Sequence, residues 1–317
     1  VPPSHEGLVF QEWNWTLEQI KSSSVGADVG ALYDTEDGSV ILDIIINTDY
    51  QKAIHLKLSN VLSGNAAENP YPVISINWGD EKTTENKAET TKTETFTHTY
   101  EKTGRYQVRI NSSAGPFELY NYGSSAFSAD LIGWKDVLRA AYIGSNCKTL
   151  QKTFYNMAAL EKVSLHKDFL PDVNFTSPFA ATGLTYGVVI VGMYGLFEAC
   201  EKIKHIASHP AYGWAYASGC TALERAIVPD ANTVIDNDSL KGCKSLREAK
   251  IGDGIFWIKS NVFCENSILQ KIVLPASITR IDTYAFYHMT AMREYHLKPT
   301  TPPTLAASNA LTINTFS

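Results

Sequence analysis

Two histidines in the stretch KHIASHP, His205 and His209, are the residues of this sequence that come nearest to a metal-binding spacing. Histidines four positions apart on a helix can hold zinc from one face, with a glutamate between them as general base. Here no glutamate stands between the imidazoles, and Pro210 follows directly and disfavours a helix. We therefore predict that this pair binds no metal.

The cysteines offer a second possible chemistry, as nucleophiles or as disulfide partners. They are Cys147, Cys200, Cys220, Cys243 and Cys264. None of them forms a C-x-x-C pair, so a zinc ribbon or a thioredoxin-type motif is not expected. Three of them fall at one position of a repeat, where a small apolar side chain packs well. We predict buried, unreactive thiols at that position, with a disulfide or a metal site as the alternative.

A cluster of acidic residues, Asp34, Glu36 and Asp37, precedes Gly38 and is the best candidate for calcium. Its spacing is not that of an EF-hand loop, so we expect an acidic surface turn. The sequence contains no G-x-S-x-G, P-loop, H-E-x-x-H or G-x-G-x-x-G motif. We therefore predict a protein that is not an enzyme and that has no catalytic residue, bound metal or cofactor.

The composition is that of an ordinary globular protein with two domains. The 317 residues are too many for one typical core, and 44% of them are apolar. The net charge is −6 and no run of Lys or Arg occurs, which argues against nucleic acid as a partner. The longest apolar stretch, residues 186–197, is broken by glycine and too short to cross a bilayer.

The elements that position these residues follow from a repeat in the second half of the chain. Its clearest copies have equivalent residues, here called anchors, at Ala217, Leu240, Phe263 and Phe286, each 23 positions apart. Looser copies place earlier anchors at Phe154, Phe179 and Phe197. Each unit reads anchor-x-x-C-x-x-L-x-x-I-x-L and cannot bury its own apolar side. Stacking would bury it, with a short parallel strand in each L-x-x-I-x-L segment and a helical or 3₁₀ turn at each anchor.

The last unit resembles the closing repeat of BspA-like leucine-rich-repeat proteins, whose pattern is LP-x-S-[VI]-x-x-I-x-x-x-A-F-x-x-C-x-x-L. The matching residues are Leu274, Pro275, Ser277, Ile278, Ile281, Ala285, Phe286 and Met292. Met289 stands where the family has cysteine. The resemblance extends over residues 125–317 and implies a solenoid. It does not imply a particular ligand, because members of the family bind diverse molecules.

The first half alternates apolar and polar residues in several short segments, which is typical of an antiparallel β-sandwich. Part of it resembles a PKD domain, an immunoglobulin-like module of secreted bacterial proteins. The matching residues are Trp78, Gly79, Asp80, His98, Tyr100, Gly104, Tyr106 and Val108. We expect His98 to hydrogen-bond a turn. The order of a PKD-like module followed by these repeats resembles surface proteins of gut Bacteroidetes.

The predicted fold is therefore β-rich and has two domains. Residues 1–113 form a PKD-like, immunoglobulin-like antiparallel β-sandwich, and residues 114–317 form a BspA-like leucine-rich-repeat solenoid of short parallel strands with helical or 3₁₀ turns. Within residues 1–37, which are the least determined, we expect a short strand and then a helix packed on the front module.

Two surfaces are candidates for binding. One is a stripe of residues, one from each repeat strand, expected to face outward from the parallel strands. It consists of Ser164, Val189, Ala207, Ile227, Lys250, Val273 and His296. Four of the seven are apolar, which suits a protein contact. The other candidate is the alternating aromatic set Tyr212, Trp214 and Tyr216, whose rings would stack on sugars if they lie in an exposed loop.

We expect a non-catalytic bacterial protein, secreted or on the outer-membrane surface, that binds a host or microbial macromolecule through the repeats. A glycan-binding protein that uses the aromatic loop and a purely structural spacer are the alternatives. The expected partner is an extracellular protein or glycan, the chain is expected to be a monomer, and nucleic acid is excluded. The chain opens with VPPSHEG, and we expect membrane contact only through a removed lipid anchor or a partner.

Overall fold

The computed structural model describes residues 4, 7–49, 52–60, 73–85, 93–113, 117–119, 134–150, 154–167, 179–188, 196–210, 214 and 216–306. The chain folds as two compact units. The first unit comprises residues 1–12 and 31–182, and the second comprises residues 13–30 and 183–317. This division differs from the predicted boundary at residues 113 and 114, because strands beyond residue 137 pair with the sheets of the first unit.

The described part of the chain contains two short helices and many short strands. The helices are α1 at Leu17–Ser22 and α2 at Trp134–Val137. The strands up to the end of the first unit are β1 Leu8–Trp13, β2 Ala31–Thr35, β3 Val40–Ile46, β4 Ala53–Asn60, β5 Ile74–Asn77, β6 Thr83–Glu85, β7 Thr93–Thr99, β8 Gly104–Ser112, β9 Phe117–Leu119, β10 Leu138–Ile143, β11 Cys147–Leu150 and β12 Lys162–Leu165.

The first unit contains two larger sheets. One has six strands in the order β12-β10-β3-β8-β5-β6, and the other has four in the order β11-β9-β4-β7. Pairing is antiparallel except between β10 and β12 and between β9 and β11. Alternate apolar side chains of these strands are buried, as two sheets with a shared core require. The predicted antiparallel sandwich is confirmed as a fold class.

Residues from the two sheets meet around Trp78, which is fully buried. The Tyr100 hydroxyl donates a hydrogen bond to the Trp78 carbonyl at 2.8 Å. The His98 ring stacks on the Trp78 ring with centroids 4.7 Å apart, and its Nε2 lies 2.9 Å from Asp80 Oδ2. His98 therefore bonds the turn after β5, as predicted, and fixes one sheet to the other.

The repeat begins inside the six-stranded sheet. Strand β10 pairs antiparallel with β3 on one side and parallel with β12 on the other. In this register Ala140 is opposite Lys162 and Ile143 is opposite Leu165. The first parallel rung therefore takes its backbone hydrogen bonds from a sheet of the sandwich.

The second unit is built from short parallel strands. They are β13 Tyr186–Val188, β14 His205–Ala207, β15 Arg225–Val228, β16 Val234–Ile235, β17 Glu248–Ile251, β18 Trp257–Ile258, β19 Lys271–Leu274, β20 Arg280–Ile281, β21 Glu294–Leu297 and β22 Thr304–Leu305. The L-x-x-I-x-L segments form a first ladder of three parallel pairs, β13 with β14, β15 with β17 and β19 with β21, in which β14 lies beside β15 and β17 beside β19. A second ladder joins β16, β18, β20 and β22. The predicted solenoid is confirmed.

The anchor side of each unit is a hydrogen-bonded turn, and no helix occurs there in the described residues. Successive turns are joined by backbone bonds, such as Phe263 N–H to the Ala285 carbonyl at 2.8 Å. The residue two positions after each of the seven anchors has positive φ, between +53° and +74°. These residues are Asn156, Ala181, Ala199, Gly219, Gly242, Glu265 and His288. Every unit thus makes the same left-handed step, although only two of them use glycine.

The repeat frame explains which side chains form the core of the second unit. Leu223, Leu246 and Leu269, six positions after their anchors, are fully buried. The anchor rings of Phe263 and Phe286 stack with centroids 5.5 Å apart. Each such leucine contributes about 1.5–3 kcal/mol by leaving water, but only when a neighbouring unit covers it.

The segment Trp13–Gly30, here called the strap, includes α1 and belongs to the second unit. The strand and helix expected near the N-terminus are present, and the helix belongs to the second unit. Thr16 caps α1, and its side chain and that of Gln19 bond reciprocally to each other's backbone N–H. Asn14 N–H donates to the Gly30 carbonyl at 2.9 Å, and this bond closes the strap at its base.

Candidate interaction surfaces

The strap is bonded to repeat strands in the middle of the second unit. The side chains of Asn14 and Trp15 donate to the Ser208 carbonyl, just past β14, at 2.9 and 2.6 Å. Asp28 forms an ion pair with Arg225 at the start of β15.

Ser24 fixes the strap beyond the end of β15. Its backbone N–H donates to Asp230 Oδ2 at 2.8 Å, and its hydroxyl bonds the other oxygen of the same carboxylate. Asp230 in turn accepts a bond from Asp253 N–H at 2.7 Å. These bonds lower the pKa of the Asp230 carboxyl against the opposing effect of burial. The strap thus reaches both ends of β15 and crosses it.

This crossing corrects part of the predicted stripe. Ala207 and Ile227 were expected to face outward, but Ala207 is fully buried and Ile227 is only 1% exposed. Their burial follows from the strap, which lies more than 170 residues away in sequence and leaves no trace in the repeat pattern. Ser164 is half-buried on β12 in the first unit, and Val189 lies outside the described residues.

Downstream of the strap the same face of the ladder is open to solvent. We define the open ladder face as the outward residues of the last three strands, which are Glu248, Lys250, Lys271, Val273, Glu294 and His296. All are exposed except Val273, which is half-buried. Three of the seven predicted stripe residues therefore lie together on this face, and whether they bind a partner stays a prediction.

The open ladder face carries alternating charges held in pairs. Lys271 Nζ lies 3.3 Å from Glu294 Oε2, and Lys250 Nζ lies 3.5 Å from Glu248 Oε1. His296 Nε2 is 3.0 Å from the same Glu294 oxygen. Bonds from His296 and Lys271 lower the pKa of the Glu294 carboxyl. Exposed pairs of this kind add little stability but give a surface a defined charge pattern.

The aromatic loop is placed differently from the prediction. Trp214 and Tyr216 are 9% and 8% exposed, so their rings pack on the repeats and are not displayed to sugars. Trp214 N–H donates to Asn232 Oδ1 at 2.8 Å, and the Tyr216 carbonyl accepts from Phe197 N–H at 3.1 Å. Tyr212 lies outside the described residues. Alternation of aromatic residues occurs in buried and exposed segments alike, so the sequence did not distinguish them.

The cysteine position of the repeat has a shared hydrogen bond. Cys220 Sγ donates to the Phe197 carbonyl at 3.0 Å, and Cys243 Sγ donates to the Ala217 carbonyl at 3.3 Å. In the next unit the Asn266 side-chain amide donates to the Leu240 carbonyl at 3.1 Å. The acceptor is in each case the anchor of the preceding unit, so this side chain links one turn to the next.

The thiols are therefore unsuited to nucleophilic chemistry. All five cysteines are buried, and no disulfide joins them. Burial raises the pKa of Cys220 well above its usual value and that of Cys243 to about 12. A thiol with such a pKa is protonated at neutral pH and is a poor nucleophile.

The other sequence candidates have structural partners. Asp34 accepts bonds from the N–H groups of Thr35 and Ser145, and Asp37 accepts from Ser39 N–H and the Arg109 side chain, so both carboxylates already have hydrogen-bond donors within the protein. His205 is exposed on β14, while His209 is half-buried and burial lowers its pKa. In the described ranges no three His, Cys, Asp or Glu side chains come together as metal ligands.

One surface feature was not recognised in the sequence. Tyr284, Tyr287 and His288 surround the last anchor, two positions before it and one and two positions after it. Tyr287 contacts both neighbours, with ring centroids 5.0 Å from Tyr284 and 3.8 Å from His288. The signal was available, because the equivalent positions of the two preceding units hold no aromatic residue, so the rings of the last unit depart from the repeat.

The comparison with protein families agrees with the geometry of the ladders. Residues 214–308 match the family model for the BspA type leucine rich repeat region, in six copies. This part of the chain is a BspA-type leucine-rich repeat region. The match does not extend to the sandwich, so the PKD-like resemblance stays a prediction. No curated protein matches the chain.

Two solved structures are similar to the chain. One is a leucine-rich repeat protein from Bacteroides ovatus, with 15% identity, a TM-score of 0.30, and coverage of 51% of this chain and 56% of that one. The other is a leucine rich cell surface protein from Faecalibacterium prausnitzii, with 14% identity, a TM-score of 0.24, and coverage of 51% and 60%. The matched region thus spans little more than half of either protein. In the described residues of this chain, no helix has the length and apolar character needed to cross a membrane.

Proposed function

We propose that this chain is a non-catalytic bacterial protein, secreted or displayed on the cell surface, that holds a macromolecular partner on its open ladder face. The observation that carries the proposal is a difference in exposure along one face of the first ladder. The strap bonds Ser208 and Arg225, next to the buried Ala207 and Ile227, whereas the outward side chains of β17, β19 and β21 are exposed or half-buried.

The chemistry of the open face favours a protein as the partner. Val273 offers a half-buried apolar centre, and the paired charges of Lys271 and Glu294 border it. A half-buried apolar centre with a polar rim is the usual organisation of a non-obligate protein interface. The mixed signs also allow a partner to be selected by its own charge pattern rather than by net charge.

The partner class is proposed from the BspA-type repeats and their setting. Because repeats of this kind form long surfaces and not deep pockets, they suit extended extracellular partners such as matrix proteins or mucins. The cell-surface location is supported by the resemblance to bacterial surface proteins. The cell-surface location is tested by treating intact cells of the bacterium that produces the protein with protease and following loss of the protein.

The binding proposal is tested with purified chain on an array of extracellular matrix proteins and mucins. Val273→Glu places a charge at the apolar centre of the face and should weaken any hit at least tenfold. Thr290→Glu makes the same charge change at an exposed turn position and is the matched control. A hit that is unchanged by Val273→Glu would place the site elsewhere. A blank array with folded protein would favour the structural spacer.

A further inference from the structure

The aromatic group at the last anchor is not required by the repeat. At the position two before the anchor, the preceding units have Asp238 and Asn261 where the last unit has Tyr284. At the position one after the anchor, Lys241 and Cys264 precede Tyr287. All of these turns have the same backbone form, with positive φ before and after the anchor. Packing of the solenoid therefore accepts small, charged or aromatic side chains here.

The rings are arranged so that part of their surface remains free. Tyr284 and Tyr287 are inclined at 57° with centroids 5.0 Å apart, while His288 lies nearly parallel to Tyr287, at 22°. Tyr284 is 40% exposed, Tyr287 is half-buried and His288 is exposed. A small patch with two differently oriented aromatic walls results.

Polar side chains border the patch at fixed places. Glu265 N–H donates to the Tyr287 carbonyl at 2.9 Å, so the exposed Glu265 stands one rung away from the rings. Asn261 N–H donates to the Thr283 carbonyl at 3.2 Å, so the half-buried Asn261 lies one rung away from the turn that carries Tyr284. Glu265 forms no ion pair with any other described residue, so its carboxylate is available as a hydrogen-bond acceptor.

We propose that Tyr284, Tyr287 and Glu265, with Asn261 and His288 around them, form a binding site for a neutral saccharide. The apolar C–H face of a sugar ring would lie on Tyr284, and its hydroxyl groups would donate to the Glu265 carboxylate. The patch holds three rings, whereas a stable protein interface needs about 800 Å² from each partner. A single sugar unit, in contrast, is of the size of the patch.

This site is separate from the open ladder face and rests on different residues. We expect a shallow site of this kind to bind one sugar with a Kd of the order of millimolar. Repeated sugars on a polymer would raise the apparent affinity of a surface-displayed protein through avidity.

The experiment screens an array of neutral glycans with the purified full chain and then measures a hit by saturation-transfer NMR and titration calorimetry. We expect the strongest transfer to ring protons of the sugar. Tyr284→Ala and Glu265→Gln should each weaken binding at least tenfold. Tyr155→Ala is the matched control, since Tyr155 is an exposed tyrosine one position after the first anchor. Val273→Glu should leave sugar binding unchanged.

Two results would overturn the proposal. One is a blank glycan array with a chain whose circular dichroism shows the folded state. The other is a loss of specificity, in which Tyr284→Ala and Glu265→Gln leave the affinity for the sugar unchanged or Tyr155→Ala lowers it equally. A variant that binds less only because it is unfolded is recognised by its melting curve, and Tyr284→Phe, which keeps the ring, should then retain binding.

Discussion

Replacing Gly242 by alanine isolates the free-energy cost of the left-handed step in the repeat. Gly242 has φ of +69°, and an added Cβ would meet no atom closer than Gly219 Cα at 3.9 Å. The bond from Gly242 N–H to the Cys264 carbonyl, 2.8 Å long, needs no side chain and survives the change. The backbone conformation is therefore the main quantity that differs.

The magnitude follows from two opposing terms. A residue with a Cβ costs about 1–2 kcal/mol in the left-handed region. Alanine also restricts the unfolded chain, which returns about 0.4–1 kcal/mol. We therefore expect Gly242→Ala to lower the free energy of unfolding by about 1 kcal/mol.

The same position in the next unit provides the reverse experiment. Glu265 has φ of +64° and bears the cost that Gly242 avoids. Glu265→Gly should therefore leave stability unchanged or raise it by up to about 1 kcal/mol. Gly254→Ala is the steric contrast, since its Cβ would lie only 1.8 Å from the Asp230 carbonyl oxygen. Because the backbone must shift there, a loss of about 3 kcal/mol is expected.

Urea unfolding followed by tryptophan fluorescence and circular dichroism measures all three variants. The midpoints are compared at equal m values, so that only stability changes are scored. A Gly242→Ala protein as stable as the parent would refute the reasoning. So would one as damaged as Gly254→Ala, because contacts and not the backbone would then decide the cost.

Burial raises the pKa of the Cys243 thiol to about 12. The folded chain therefore keeps a proton that the unfolded chain loses above about pH 8.5, so this thiol lowers the free energy of unfolding only above that pH. Urea midpoints from pH 8 to 10 should therefore fall less steeply in Cys243→Ala, and an unchanged slope would exclude this thiol as the cause. Asn266→Cys should raise the free energy of unfolding by about 1 kcal/mol, because Asn266 Oδ1 is buried without a hydrogen bond in the described structure; a lower midpoint would contradict this. Asp28→Asn should cost only about 1 kcal/mol, since Arg225 is partly exposed, but should speed hydrogen exchange in the strap. Asp253→Asn is its control, and equal exchange in both would show that the ion pair does not hold the strap.

The repeat could be predicted because burial is copied from unit to unit. Leu223, Leu246 and Leu269 are buried for one reason, so three weak signals at a fixed spacing become one strong signal. The left-handed step was less visible. Gly219 marks it in the sequence, whereas Glu265 hides it, since the stacked turns impose the conformation on any residue.

The candidate sites depended on contacts that no local pattern contains. Ile227 has the alternation of an outward residue, yet a segment near the N-terminus covers it, and such a pairing of distant segments has no period. Trp214 shows the opposite limit, because an aromatic residue beside a turn packs inward or outward according to its neighbours. Val273 is partly exposed as predicted, because no distant segment of the described structure crosses β19.

The pairing of β10 with both β3 and β12 has a consequence for how the chain is made. The sandwich strand β3 precedes β10, and β10 precedes β12, so each edge exists before the strand that needs it leaves the ribosome. Later repeat strands lie beside the rung before them, and β14 and β15 also receive bonds from the strap. We therefore expect gain or loss of a 23-residue unit to be best tolerated far downstream. Removing the chain after β8 would instead leave β3 without its partner β10. Evolution of this surface is expected to vary its distal length while keeping its starting edge constant.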